Sequence, residues 1–280
     1  MSAAVTTLGT TEPKGPALFV WPLFTAAPAE RLRGAVCVVV DQLRASSTIA
    51  TALDHGAAAV HPCLEVEDAQ RLAATLRARG AAVKLGGERG GLAIAGFDFG
   101  NLPREYGAAE VAGVQICFTT TNGTRAINYA RDAGAAEVLI GCLYNRTAVA
   151  ERVVRMASGG GGDDGVRREI HILCAGTRGT VTLDDCLAAG AIAHAAGRVR
   201  PMGADLDGGA MLPHGDDTAR MHEELWLGAE RTGQVEGMLV RSRGGRNLAR
   251  IGMSAELPAL AAVDCLQTVP RLVDGVLVKG

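Results

Sequence analysis

Several short stretches of this sequence group the residue types that bind or react with anions. DQLRASST (41–48) opens on Asp41 at the end of an apolar run, where a carboxylate must be capped, paired or bound to a cation. Arg44 follows three residues on, and Ser46, Ser47 and Thr48 carry hydroxyls suited to a helix cap or to an oxyanion. Two readings stand side by side here: Asp41 caps a helix that Arg44 neutralises, or both belong to a site. TTTNGTR (119–125) is the clearest anion-binding stretch. Thr120, Thr121, Asn122, Gly123, Thr124 and Arg125 offer hydroxyls, an amide, backbone N–H groups and a guanidinium without a Walker-type lysine. A helix cap would need one such residue, not five.

Other stretches add carboxylates and cations. GGERGG (86–91) sets Glu88 and Arg89 among four glycines, which reads as a mobile or tightly turned loop carrying either a site or an incidental ion pair. GFDFGNLPREYG (96–107) places Asp98, Asn101 and Pro103 in a second glycine-bounded loop. In TLDD (182–185), Thr182 and Asp185 have capping-box spacing, and Asp184 would then point elsewhere. Two carboxylates opening a helix suit Mg²⁺ as well as they suit a cap. SRGGRNL (242–248) reads as a glycine-rich turn whose Arg243 and Arg246 contact an anion or solvent. The six histidines show no paired metal spacing; His171 reads as structural and the others as surface or loop residues, so no zinc site is expected.

The elements that must position these residues repeat. AVCVVV (35–40), VQICF (114–118) and EIHILCAG (169–176) are each followed by a polar turn and then a helical stretch. The first two helices end in Gly-Ala at 56–57 and 134–135, glycine being the favoured left-handed stop. Runs that are apolar throughout suit parallel strands covered on both faces. AAEVLIGCL (135–143) and TAVAERVVRMA (147–157) add a further strand and helix. The expected fold is α/β: three layers, α/β/α, with a largely parallel sheet built of repeated strand–turn–helix units. The turns after the strands would then gather on one edge, where open parallel sheets bind ligands. Residues 1–16 read as a loose tail, 17–157 as a first α/β half, 158–167 as a glycine-rich flexible loop, and 168–280 as a second half, with room for similarity between the two.

Bulk properties narrow the partners. A net charge of −2 and 4% aromatic content lack the basic face and stacking rings of a nucleic-acid surface. The N-terminus has no basic start followed by an apolar core, and no uncharged run reaches the length of a membrane span. Seven cysteines without a C-x-x-C pair, several inside apolar runs, fit reduced thiols. A cytoplasmic protein with a small-molecule partner is expected, and a homo-oligomer stays open.

DQLRASSTI, GGERGG, GFDFGNLPREY, TTTNGTRA and LDDCLAAGAI occur in the same order as motifs of the 2-phosphosulfolactate phosphatases, and the chain resembles that family from about residue 35 to 195, more weakly through SRGGRNL to VPRL. The resemblance implies a Mg²⁺-dependent phosphatase, of the kind associated with coenzyme M synthesis, acting on a small phosphorylated acid with a carboxylate and a sulfonate. It implies catalytic roles for Asp41, Glu88 and Asp185. Metal ligands would come from Asp41, Glu88, Asp184 and Asp185, and substrate contacts from Arg44, Ser46, Arg89 and residues 120–125. Departures are Gln42 where the family has an aliphatic residue, Leu102 where it has serine, and Asp184 where it has glutamate. A phosphatase for another phosphorylated carboxylic acid and a non-enzymatic binder of such an acid are the alternatives. Asp41 could attack phosphorus or position water; enzymes with a phosphorylated strand-ending Asp usually carry a second Asp where this chain has Leu43.

Overall fold

The structure is a computed structural model that describes residues 16–159, 165–199 and 212–280. The expected N-terminal tail, apart from residue 16, and the centre of the glycine-rich loop (160–164) lie outside the described residues. In chain order the strands are β1 (Leu18–Trp21), β2 (Val36–Val40), β3 (Ala59–Cys63), β4 (Val83–Arg89), β5 (Leu92–Ala93), β6 (Gln115–Thr119), β7 (Glu137–Gly141), β8 (Ile170–Cys174), β9 (Pro270–Val273) and β10 (Val276–Lys279). The α-helices are α1 (Ala29–Leu32), α2 (Ala45–Asp54), α3 (Val66–Ala78), α4 (Ala108–Val111), α5 (Gly123–Asp132), α6 (Arg146–Ala157), α7 (Leu183–Ala196), α8 (Asp217–Arg231), α9 (Val235–Arg241), α10 (Arg243–Arg250) and α11 (Leu257–Leu260).

The strands join in the order β1-β8-β2-β7-β9-β10-β3-β6-β4-β5. β1, β8, β2 and β7 form one parallel block, and β3, β6 and β4 form another. The β9–β10 hairpin sits between them, antiparallel to β7 on one side and to β3 on the other. Three successive antiparallel pairings therefore reverse the sense of the second block relative to the first. The strands of the two halves read from sequence are interleaved: β8 lies between β1 and β2, and the hairpin between β7 and β3.

β2 shows why its run is apolar throughout. Val36, Val38 and Val40 join the core that includes α6 and α7, whereas Cys37 and Val39 join the core beneath α2 and α5. Both faces of the strand are covered, so neither set can be polar. α3 covers the outer part of the second block through Ala69 and Ala73 against Val83, Leu85 and Cys117. Gly56 and Gly134 stop α2 and α5 with φ of 92° and 82°. Among the described residues no helix is long and apolar enough to cross a membrane.

Two local expectations are corrected. GGERGG is not a free loop: Gly86–Arg89 belong to β4, and Gly90 and Gly91 turn it into β5. SRGGRNL is not a turn but the start of α10, with Ser242 as its N-cap accepting from the Gly245 N–H at 2.9 Å.

Candidate active site

The residues following β2 and β8 in one block meet those ending β4 and following β6 in the other around a cavity of 440 Å³. The polar turns after β2, β6 and β8 thus gather at one cavity, although their strands belong to two blocks. Asp41 and Glu88 supply the carboxylates of the lining. Arg44, Arg178, Arg243, Arg246 and Arg250 supply the cations. Asn101 and Thr121 add an amide and a hydroxyl, and both Asn101 Oδ1 and Thr121 Oγ1 are buried without a hydrogen-bond partner. Buried polar atoms are normally paired, so two orphans on one cavity wall mark positions for a polar ligand.

Asp41 leaves β2 and is 7% exposed. Its N–H donates to Ser46 Oγ at 2.9 Å, and the Ala45 N–H donates to Asp41 Oδ1 at 3.4 Å. Ser46 is thereby spent on the Asp41 turn. Gly123, opening α5, packs against the same carboxylate: a Cβ there would lie 2.7 Å from Asp41 Oδ2 and 2.7 Å from the Ala45 Cβ. Burial, then the charges of Asp184 and Glu88, push the Asp41 carboxyl up to about 7. Arg44, 4% exposed, donates to the Gly91 carbonyl at 2.6 Å and ties the turn after β2 to the β4–β5 hairpin. Burial lowers its guanidinium pKa, while Glu88, Glu105, Asp41 and Glu256 oppose that.

Glu88 and Asp185 have their oxygens engaged by the backbone. Glu88 Oε2 accepts from the Gly91 N–H at 2.6 Å and Oε1 from the Thr121 N–H at 2.8 Å. Asp185 Oδ1 accepts from the Gln42 N–H at 2.8 Å; Oδ2 accepts from the Gly176 N–H at 2.8 Å and from the Thr182 hydroxyl at 3.0 Å. Each carboxylate therefore fixes turns from different strands relative to one another. Burial, with Asp184 and Asp41 nearby, raises the Asp185 carboxyl well above its usual range. Asp184, 2% exposed, is different: its Oδ1 is buried without a partner, and a Cβ on Gly244 would come within 2.7 Å of its Oδ2. Burial pushes its carboxyl up to about 6.

Other residues singled out in the sequence lie elsewhere. Arg125 is exposed and ion-paired with Glu65 at 3.2 Å, outside the cavity lining. Arg89 donates to the Leu64 carbonyl at 3.0 Å and to Thr119 Oγ1 at 2.9 Å, and is absent from the lining as well. Thr120 and Thr124 satisfy one another at the start of α5: Thr124 N–H donates to Thr120 Oγ1 at 3.3 Å, and the Thr124 hydroxyl to the Thr120 carbonyl at 3.1 Å. Asn122 lines the cavity, and its Oδ1 accepts from the Arg178 N–H at 3.0 Å. Gln42, the departure beside Asp41, donates to the Leu260 carbonyl and accepts from the Leu143 N–H, both at 2.9 Å.

Arg178 and the three arginines of α10 are the larger part of the cation set. Positions 243, 246 and 250 have the 3- and 7-residue offsets of one helix face, a pattern visible in the sequence once that segment is read as a helix. Among the described residues, the guanidinium groups of Arg178 and Arg243 have no hydrogen-bond or ion-pair partner.

Buried carboxylates facing five arginines in an interstrand cleft make the site of an α/β enzyme for a small, multiply charged anion. The family model for 2-phosphosulpholactate phosphatase matches residues 24–275. Relatives named "Probable 2-phosphosulfolactate phosphatase" include a Symbiobacterium thermophilum protein, 38% identical over 252 residues covering 90% of this chain and 97% of its own. Others come from Deinococcus radiodurans, 37% identical with 86% and 88% covered, and Thermotoga petrophila, 32% identical with 90% and 95% covered. The chain belongs to the 2-phosphosulfolactate phosphatase family.

Proposed function

We propose that this protein is a Mg²⁺-dependent phosphomonoesterase that converts 2-phosphosulfolactate to sulfolactate and phosphate. The observation that carries the reading is the lining of the cavity, with two carboxylates among five arginines. A substrate bearing a phosphate, a carboxylate and a sulfonate would bring about four negative charges at neutral pH, more than two or three cations could offset.

The carboxylates fit a hard divalent cation. Asp184 Oδ1 has no partner, Asp41 accepts only a long bond from the Ala45 N–H, and each is held above the usual carboxylate range. Asp41 and Asp184 would hold Mg²⁺, with Glu88 and Asp185 fixing the turns around them. When bound, the ion supplies charge neutralisation for phosphate oxygens. The chain's own groups do the rest. Arg178, Arg243, Arg246 and Arg250 fix the acid groups, and Thr121 and Asn101 point free polar atoms at the ligand. Asp41 stands where it can attack phosphorus or take the proton of an attacking water. A buried carboxyl poised near neutrality suits proton transfer.

Phosphate release from 2-phosphosulfolactate and from a panel of other phosphorylated carboxylic acids, with Mg²⁺ and with EDTA, tests this reading. Release that is selective for the sulfonate and abolished by EDTA is expected. Release from another acid would keep the chemistry and replace the substrate, and tight binding without turnover would overturn catalysis. Borohydride trapping of the turning-over enzyme, followed by peptide mass analysis, decides whether Asp41 is phosphorylated.

A further inference from the structure

Away from the cavity, three soft ligands meet that no sequence spacing announces. Cys174 ends β8, Cys186 lies in the first turn of α7, and His222 is carried by α8. Their ligand atoms all lie within 4.8 Å of one another, and the three residues are buried. The close crossing of α7 and α8 brings them together: a Cβ on Gly190 would lie 1.9 Å from the His222 carbonyl oxygen, so only glycine lets the helices approach so far.

The imidazole is oriented for ligation. His222 Nδ1 lies 2.7 Å from the Thr218 carbonyl oxygen, which can only accept, so Nδ1 carries a hydrogen and Nε2 is the nitrogen left for a metal. Nε2 is buried without a hydrogen-bond partner of ordinary geometry, and His222 as a whole is 7% exposed. A backbone carbonyl fixing the far nitrogen is the usual support of a metal-binding histidine. Cys174 is fully buried and Cys186 is 7% exposed.

We infer that Cys174, Cys186 and His222 form a binding site for a thiophilic d¹⁰ cation, Zn²⁺, separate from the carboxylate site. Two sulfurs and one nitrogen match a tetrahedral zinc site with one position left for water, and they are a poor set for Mg²⁺. Zinc–sulfur bonds of about 2.3 Å place two sulfurs about 3.8 Å apart in a tetrahedron. With the ligand atoms within 4.8 Å of one another, they need to close by at most about 1.0–1.3 Å. Binding Zn²⁺ forms two Zn–S bonds and one Zn–N bond and displaces to solvent the protons that the three ligand atoms carry. The ion would fasten the end of β8 to the first turn of α7, the turn that carries Asp184 and Asp185. It does not depend on the phosphatase reading.

The test uses the full chain, reduced, stripped of metal with EDTA and reloaded with one equivalent of Zn²⁺. X-ray absorption at the zinc edge should show two sulfurs at about 2.3 Å and a nitrogen at about 2.0–2.1 Å. Co²⁺ should give thiolate charge-transfer absorption and strong tetrahedral ligand-field bands. Cys174→Ser and Cys186→Ser should each weaken Zn²⁺ binding by about 100-fold or more, and Cys265→Ser, an exposed thiol, should leave it unchanged. A zinc shell of oxygen and nitrogen alone, or a Co²⁺ thiolate band that survives Cys186→Ser, would overturn the site. If the serine variants do not fold, the zinc shell of the wild-type protein decides alone.

Discussion

Gly123→Ala is the substitution whose outcome the geometry fixes most tightly. Gly123 opens α5, and in a helix alanine is ordinarily preferred over glycine by about 1 kcal/mol. Propensity alone therefore predicts a stabilised protein. The added methyl, however, would sit 2.7 Å from both the Ala45 Cβ and Asp41 Oδ2. Carbon atoms rest at about 3.5–4.0 Å, so roughly 0.8 Å or more of overlap must be absorbed by the starts of α2 and α5. Overpacking of this kind costs about 1–3 kcal/mol, which outweighs the propensity gain and lowers the melting temperature by a few degrees. The catalytic cost should be larger. The group forced aside is the Asp41 carboxylate, and if it reacts as proposed, a displacement near 1 Å costs on the order of 100-fold. Thermal unfolding and phosphate release from 2-phosphosulfolactate, measured on the same preparation, separate the two effects. A variant as stable as wild type, with turnover within a factor of about 2, would refute the claim that Asp41 must be held in place.

Other perturbations probe separate parts of the site. Thr121→Val removes a hydroxyl that has no partner in the protein; stability should hold, while substrate KM rises about 10-fold or more, the worth of a hydrogen bond to a charged oxygen. Glu88→Gln leaves an amide –NH₂ facing the N–H of either Gly91 or Thr121, and urea unfolding should show a loss of about 1–3 kcal/mol. Arg243→Ala, at a guanidinium without a protein partner, should raise KM for the ester with all three acid groups far more than for a phosphate ester lacking the sulfonate, as initial rates on both esters would show. His171 gives the pH dependence. Its Nδ1 accepts from the Trp21 indole N–H at 3.0 Å, and burial lowers its pKa to about 4 from 6.5. Between those values the unfolded chain binds a proton that the folded chain refuses. The stability is complete above pH 6.5 and is lost as pH falls towards 4, at up to about 1.4 kcal/mol per pH unit. His171→Phe should flatten that part of the wild-type urea-unfolding profile.

The strand–turn–helix units were legible because β2, β6, β7 and β8 are buried on both faces and the helices after β2 and β6 stop at glycines with left-handed backbone. Asp41 and Thr121 were legible for the same reason, since each follows such a strand; Glu88 was legible only as a carboxylate among glycines, because its strand β4 reads as a loop. Glycine misled where it serves close packing instead of turning. Gly87 lies in β4 because a Cβ there would meet the Thr119 carbonyl at 1.9 Å, and Gly245 lies in α10 because one would meet the Leu239 carbonyl at 2.0 Å. Arg89 and Arg125 have the right type and neighbourhood for an anion site, but both turn to Glu65, a residue with no motif around it. The Cys174–Cys186–His222 cluster was invisible to spacing because its members come from three elements joined only by packing.

The β9–β10 hairpin has a consequence for how the chain is made. Translation delivers residues 270–279 after every other strand described, yet they occupy the seam of the sheet. Until they arrive, β7 and β3 are bare edges, each flanked by a block that already holds its own parallel strands. Leu277, with no exposed surface in the finished protein, has no place to bury beforehand. Unpaired edges of this kind invite pairing with other chains. The interval between emergence of β8 and of the hairpin is therefore the window in which a polysome carrying this message is most exposed to misassembly.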